Sequence, residues 1–498
     1  MNLRFACLVA AILMGSQVMS WSQGDTLYLD LKGTIRLAQS DAPDVLIAKT
    51  AFKNDFWRYQ SFLADYRPQI VLNATLPNLN RAIDQIDLPD GTVNFLERSF
   101  MNNNVRVTLQ QGITATGGRI FAGTGLERID IFPNDFTDRQ NSYLSNPFFL
   151  GYNQPLFGFN ELKWDKRIQP LVFEEASKAY SEDMEQVAYQ AANLFFDVLF
   201  AQLNLQAAIR DKTNADTLYT ISQGRFEVGR IAETELLQIE LSAMRANADL
   251  AASQLSLQTS TEELRNFLGI QKAVAFRLKP PSDLPQVQID GQTALAYAKK
   301  NRSDMTTFAR RLEESNQQVA FAKANNRPSL DLSLSFGLSQ TSKDLSDAFR
   351  NLLDQERVTL GLSMPIADWG KSKSRLKIAE SNQDLTELEV SQDRVNFERE
   401  ILVKVQQFDL VRDQVNLALR SYDVSQKRLN LTRSRYRIGK IQVTDFNIAI
   451  QEEAAGRQAY IQALRNFWLA YYDLRQLTLY DFEEGRPLVR DAKDIPKN

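Results

Sequence analysis

Arg225-Phe-Glu-Val-Gly-Arg-Ile-Ala-Glu-Thr-Glu-Leu-Leu recurs 210 positions later as Arg435-Tyr-Arg-Ile-Gly-Lys-Ile-Gln-Val-Thr-Asp-Phe-Asn, and the match spreads outward from both copies. The same shift lays Gln154-Pro-Leu on Met364-Pro-Ile, Lys163 on Lys373 and Leu264-Arg on Leu474-Arg. Strand, helix and turn signals therefore repeat in order, and the chain reads as a tandem duplication. A first repeat is expected over 23–270, a linker over 271–292, a second repeat over 293–480 and a tail over 481–498. Two halves then build one body, not the roughly three ordinary domains that length alone suggests.

Within the recurring stretch, Gly229 and Gly439 are natural left-handed helix stops, and Thr234 and Thr444 are suited to cap returning helices. Each copy marks a hairpin tip. Helices are expected over 161–223 and 230–269 in the first repeat and over 371–436 and 441–479 in the second. A continuous helix from Lys371 to Arg435 would reach roughly 100 Å. Pro170, near the start of the corresponding first-half run, is expected to be tolerated or to bend it.

Two heptad tracks run along the second-half helix: Ile401, Phe408, Val415, Tyr422 and Leu429, and then Val403, Leu410, Leu417, Val424 and Leu431. Their two-residue offset is about 200° of turn, so apolar seams lie on nearly opposite sides. Asp409, Asn416, Asp423 and Asn430 wet one arc between them, and Gln407, Gln414, Ser421 and Arg428 wet the other. Such a helix needs a neighbour on each side and water inside and outside, as in a hollow cylinder, whereas an ordinary surface helix carries one stripe. A helix sandwiched in a solid bundle is the alternative.

Ahead of the long helices lie alternating strands. Leu330, Leu332, Leu334, Phe336 and Leu338 alternate with Ser329, Asp331, Ser333, Ser335 and Gly337, and Arg357 to Met364 repeats the pattern. The corresponding first-half strands are Gln69 to Leu76 and Asn146 to Gln154, giving strands about 68–79, 145–156, 328–339 and 357–366. Each approaches the about 9–11 residues of a tilted membrane strand. Pro155 and Pro365, which lack an N–H, mark the crossings from strand to helix. Arg67-Pro68 and Arg327-Pro328 stand 260 apart, so the first half carries extra residues, and these read as an inserted hairpin, about 103–130, turning at Gly117-Gly118. The sequence leaves open whether it enlarges a barrel. Four strands, or six with the insertion, are fewer than the about eight that close a membrane barrel, so several copies must share one.

Composition narrows function. Met1 to about Ser22 reads as a secretory leader, with Arg4 before the apolar run Ala6 to Met14. Past the leader, which holds Cys7, the chain has no cysteine, and it has no histidine anywhere. The commonest general base and metal ligand are thus absent, and no catalytic, cofactor or metal site is assigned. A net charge of -3 leaves no basic field for nucleic acid. No apolar run of about 18 residues follows the leader, so a helical membrane span is not expected.

Taken in order, the tips Phe226-Glu-Val-Gly and Tyr436-Arg-Ile-Gly and the crossings Gln154-Pro-Leu-Phe-Gly and Met364-Pro-Ile-Ala-Asp-Trp-Gly resemble the TolC-like outer membrane efflux protein family. The resemblance covers nearly the whole mature chain. It implies a mixed α and β membrane protein: a homotrimeric transmembrane β-barrel continued by a long α-helical barrel, set in outer membrane lipid with its helices in the periplasm. It further implies a passive exit duct of a tripartite efflux or type I secretion system, meeting a periplasmic adaptor and through it an inner membrane transporter. By position, Thr234, Glu235 and Tyr436 correspond to latch residues, Asp445 to a tunnel-constricting acid, and Gly229 and Gly439 to adaptor-docking turns. Ile441 departs from a position often basic in the family, leaving the charged part of the latch to Arg437 or Lys440 or to neither. The competing readings are a periplasmic long-helix adaptor or scaffold without a pore, and a secreted carboxylate-pair enzyme.

Overall fold

The computed structural model describes residues 26–87, 91–133, 138–272, 274–281, 284–285, 287–438, 440–441 and 443–490. The expected leader and Gly439 lie outside them, as does the side chain of Tyr436. The chain begins with β1 (Thr26–Leu29), α1 (Leu31–Asp41) and α2 (Pro43–Asp65), followed by strands β2 (Gln69–Thr75), β3 (Leu79–Asp87), β4 (Val93–Ile113), β5 (Gly118–Ile131) and β6 (Gln140–Pro155). Helices α3 (Glu161–Glu227) and α4 (Glu233–Phe267) lead to β7 (Ala275–Leu278), α5 (Gly291–Asn301) and α6 (Ser303–Asn325). Strands β8 (Ser329–Ser342) and β9 (Leu353–Ser363), helices α7 (Lys371–Arg437) and α8 (Val443–Thr478), and the short β10 (Tyr480–Asp481) and β11 (Arg486–Pro487) complete the order.

Helices α5 and α6 begin and end 260 positions after α1 and α2, whereas α7 begins and ends 210 positions after α3. The offset changes between β2 and α3, where the first half holds β3, β4 and β5.

One compact unit comprises, of the described residues, Thr50–Tyr180, Lys299–Glu400 and 489–490. Its sheet runs β2-β4-β5-β6-β8-β9, all antiparallel, with β3 pairing the outer part of β4. Because β2 and β3 meet successive stretches of the 21-residue β4, they act as one interrupted stave. The pairing of Gln69–Leu76 with Asn146–Gln154, implied by treating them as the first-half strand pair, is corrected: β4 and β5 stand between β2 and β6. The extra residues add two full staves because each carries its own alternation and finds ladder partners on both sides. At the turn between them Gly117, at φ 75°, donates its N–H to Ile113 O at 2.8 Å.

Beneath this sheet Phe52, Phe56, Tyr59 and Phe62 line one face of α2 at helical spacing, and Tyr66 follows just past its end. Tyr59 stacks on Phe173 of α3 with centroids 4.5 Å apart, and Tyr66 donates its hydroxyl to Leu162 O at 2.7 Å. Gln111 of β4 donates to Tyr66 O at 3.0 Å, fixing the strand end to the helix.

The other unit comprises, of the described residues, 26–49, Ser181–Ala298 and Ile401–Leu488. Here β1 and β7 pair in parallel, and Asp30 caps α1 by accepting from Gly33 N at 2.7 Å. Phe195, Phe196 and Leu199 of α3, Leu264 of α4, Phe408 of α7 and Phe467 and Leu474 of α8 are fully buried. The expectation that no apolar stretch follows the leader is corrected in α3, where an 18-residue window is long and apolar enough by composition to cross a membrane. Of that stretch 44% is buried within the chain, as in a helix that packs on neighbours.

Candidate functional site

The strand register sorts the sheet into two chemically opposite faces. On one, Ile70 and Leu72 of β2 lie beside Leu109 and Val107 of β4, which lie beside Ala122 and Thr124 of β5, with Val105 beside Leu126. The row continues through Leu150 and Tyr152 of β6, Phe336 and Leu334 of β8, and Val358 and Leu360 of β9. These side chains are largely exposed, and an apolar band crossing six staves has no stable place in water. The opposite face carries Arg106, Gln110, Asn153, Asp331, Ser333 and Ser335. There Phe121 closes over Gly151, and Phe149 lies against Gly123, positions a side chain would block. Apolar-out and polar-in alternation of this kind suits a strand between lipid and an aqueous lumen.

Both edge strands are left open. All residues of β9 are exposed and so are nearly all of β2, although each pairs with a neighbour on one side. β9 and β2 point in opposite directions, so a strand running as β2 does has the direction an antiparallel ladder on β9 requires.

On α7 the two seams have separate fates. Ile401, Phe408, Val415 and Leu429 are at most 8% exposed, packed within the chain, while Val403, Leu410, Leu417, Val424 and Leu431 are 42–70% exposed. Leu237, Leu241, Met244 and Leu255 form a second exposed apolar stripe along α4. Burying one seam and leaving the other bare gives α7 an apolar stripe that is not covered within one chain.

At the tip of the first hairpin, Gly229 takes φ 69°, its N–H reaches Phe226 O at 2.8 Å and Arg230 N–H reaches Arg225 O at 2.9 Å. This is a Schellman closure, which satisfies helix-end carbonyls. Lys440 N–H reaches Arg435 O at 3.0 Å in the second hairpin, the same bond 210 positions on. Thr234 does not cap α4: Ala232 is the N-cap and makes no side-chain cap bond. Five residues, 228–232, join the two helices, and Glu233 and Glu235 in the first turn of α4 offset its dipole instead. Thr234 is exposed, Glu235 half-buried and Asp445, in the first turn of α8, exposed. Among the described residues no hydrogen bond joins Thr234 or Glu235 to the second hairpin. Leu218 of α3 does pack on Leu429, Phe446 and Ala449 of that hairpin. Pro155 is the last residue of β6, opposite Asp331, and Pro365 lies two residues beyond β9.

Further along, α3, α4 and α8 border a cavity of about 640 Å³ whose lining includes Asp211, Arg245, Asp249 and Arg457. Burial raises the Asp211 carboxyl above its ordinary range, with Arg210 and Arg457 opposing and Glu453 and Asp249 adding to the rise. Burial likewise pushes up the Tyr422 hydroxyl. Among the described residues no group of acids is arranged to hold a metal.

A family model described as outer membrane efflux protein matches residues 126–270 and 294–478. The chain belongs to the outer membrane efflux protein family. Its place is the outer membrane. Toxin and drug export protein A of Aggregatibacter actinomycetemcomitans is 22% identical over 305 residues, 59% of this chain and 64% of that protein. The multidrug resistance outer membrane protein MdtQ of Escherichia coli O157:H7 is 24% identical over 251 residues, 49% of this chain and 50% of that one. The chain thus spans just under two thirds of the first of these relatives and half of the second. Among solved structures, the Campylobacter jejuni CmeC outer membrane channel superposes with a TM-score of 0.65 at 17% identity, covering 93% of this chain and 87% of that one. VceC of Vibrio cholerae gives 0.61 at 15% identity, covering 90% and 96%. The fold of this efflux-family chain is therefore the fold of such outer membrane proteins.

Sequence reading missed Arg475, whose guanidinium is held by Glu185 and Asp481, and the Glu453–Arg457 pair beside Asp211. Repetition of Leu264-Arg as Leu474-Arg was the one signal pointing at Arg475, and it carried no sign of the acids.

Proposed function

We propose that this chain is the exit duct of a tripartite efflux or type I secretion assembly, a homotrimeric passive conduit without chemistry of its own. The bare second seam of α7 carries the reading: Leu410, Leu417, Val424 and Leu431 need a partner, and the exposed stripe of α4 from a second copy has the matching character. The open edges of β9 and β2 support it, since three copies of six staves make a closed barrel without exposed edges. The tandem halves 23–270 and 293–480 would then alternate around a helical barrel.

In this reading Thr234, Glu235 and Tyr436 form the latch of the periplasmic entrance and Asp445 a constriction within it. Gly229 and Gly439 form the turns that meet a periplasmic adaptor, which links the duct to an inner membrane transporter. Pro155 and Pro365 end the barrel and start the helices. Purified protein in a planar bilayer should give small, mostly closed conductance that rises several-fold in Tyr436→Phe with Glu235→Gln, and Asp445→Asn should weaken cation preference. Unchanged conductance in the double variant removes the latch assignment. Release of the protein from membranes by carbonate removes the duct itself and returns the scaffold reading.

A further inference from the structure

Above the apolar band, the same face of the sheet changes character. Continuing the two-residue period from Val105 and Leu126, the next pairs are Asn103 with Arg128, then Met101 with Asp130, and then Ser99 beside Phe132, whose N–H reaches Ser99 O at 2.9 Å. Arg81 lies directly opposite Ser99 on β3. This is the end of the sheet remote from Tyr66 and Leu162.

Here aromatic rings hold cations in place. The guanidinium of Arg128 lies over Tyr143 at 5.5 Å, and those of Arg81 and Arg139 both lie against Phe132, at 5.9 and 6.0 Å. Arg128 is already paired, donating through Nη2 to the buried Asp130 at 2.7 Å. Among the described residues Arg81 and Arg139 form no ion pair, although Asp138 is exposed nearby in sequence and Glu97 shares the face one pair further out. Beneath Arg81, Ser99 is 8% exposed and its Oγ has no hydrogen-bond partner; Asp130 Oδ2 is similarly unpartnered. Buried polar atoms without partners are uncommon, so this end of the face differs from the apolar band below it in chemistry as well as in charge.

We propose that Arg81 and Arg139, with Arg128 below them, bind the phosphorylated sugar headgroup of an outer-leaflet glycolipid. This rests on the reading of the band as lipid-embedded. The rim begins roughly 7 Å along the strand above Leu126 and ends roughly 20 Å above it, at ~3.3 Å per residue, which is headgroup depth. Guanidinium groups recognise phosphate with paired hydrogen bonds, and two of them against one ring suit a headgroup that carries two phosphates. A soluble anion would use the same arginines but would need no continuity with the apolar band.

Full-length protein is reconstituted into phosphatidylcholine vesicles containing either diphosphoryl or fully dephosphorylated lipid A, and the lipid retained after detergent extraction is counted by native mass spectrometry. Wild type should retain the diphosphoryl form about tenfold over the other, and Arg81→Gln with Arg139→Gln should bring the ratio near one. The corresponding pair of lysine variants should keep part of the preference. Should the glutamine pair fail to insert, each single glutamine variant, expected to lose about threefold, carries the test. Equal retention of both lipids by wild type, or an unchanged ratio in the variants, overturns the proposal. Stripping of the preference by millimolar inorganic phosphate also overturns it, in favour of a soluble anion. Carbonate-resistant protein without lipid preference removes this inference alone, whereas carbonate-extractable protein removes the duct reading as well.

Discussion

Arg475 donates through Nε to Glu185 Oε2 at 3.0 Å, joining α8 to α3 across 290 positions of sequence. Its Nη1 lies 2.9 Å from Asp481 Oδ2 just past the helix end, and all three side chains are largely buried. Burial alone disfavours the cation, but Glu185 and Asp481 outweigh it and hold the guanidinium protonated well above its ordinary range. Replacing it with leucine strands two buried acids, so Arg475→Leu should cost about 3–5 kcal/mol. Denaturant unfolding followed by tryptophan fluorescence checks this; a loss below ~1 kcal/mol would mean that the acids find other partners.

The same cluster sets an acid limit. Burial opposes the Asp481 carboxylate, yet Arg475, the N–H groups of Glu484 and Glu483 and the Tyr471 hydroxyl more than offset it, holding the carboxyl below its usual range. A group depressed in the folded state stabilises fully above its unfolded pKa and loses that contribution as pH falls through the folded one. From this cluster the thermal midpoint should therefore gain nothing between about pH 5 and 8 and fall below about pH 4. Asp481→Asn should lower the neutral midpoint and flatten that acid decline. A variant whose pH profile parallels wild type would remove Asp481 from the account.

Leu410→Glu with Leu417→Glu tests the bare seam, because both side chains are exposed within one chain. Losing the burial of two leucines forfeits roughly 1.5–3 kcal/mol each against a partner copy. Circular dichroism should stay at wild-type helicity while light scattering reports monomer. Val415→Glu, on the buried seam of the same helix, should instead reduce helicity and thermal stability. Equal behaviour of the two variants would deny the seams their separate roles.

What could be read in advance follows from how local each signal is. The seams of α7 were legible because a heptad repeats its statement five times within one helix, and β8 because Leu330 to Leu338 face one environment at every second position. Parallel pairing of β1 with β7 was not legible: four residues such as Thr26-Leu-Tyr-Leu hold too few alternations, and their partners stand some 250 positions away. The place of the insertion was hidden for a different reason. Alternation shows that β4 and β5 are strands, but not that they intervene between β2 and β6. At the tips the glycine was legible and the cap was not, since Thr234 and Ala232 compete for one position and only turn geometry chooses.

Leu360 and Thr359 are neighbours on β9 that face opposite sides of the sheet, paired with Leu332 and Ser333 respectively. If the apolar band meets lipid, a cation at Leu360 must leave water on the helix-proximal side of the bilayer, whereas one at Thr359 enters an aqueous lumen. Leu360→Arg should therefore cost about 1–2 kcal/mol of membrane stability, between the midplane and interface values, and Thr359→Arg close to none. The difference is read as the urea concentration at which the protein leaves outer-membrane lipid vesicles, with Thr359→Arg also expected to shift channel selectivity toward anions. Equal losses for both variants would place the two faces in one environment, and the assignment of lipid to one side and water to the other would fail.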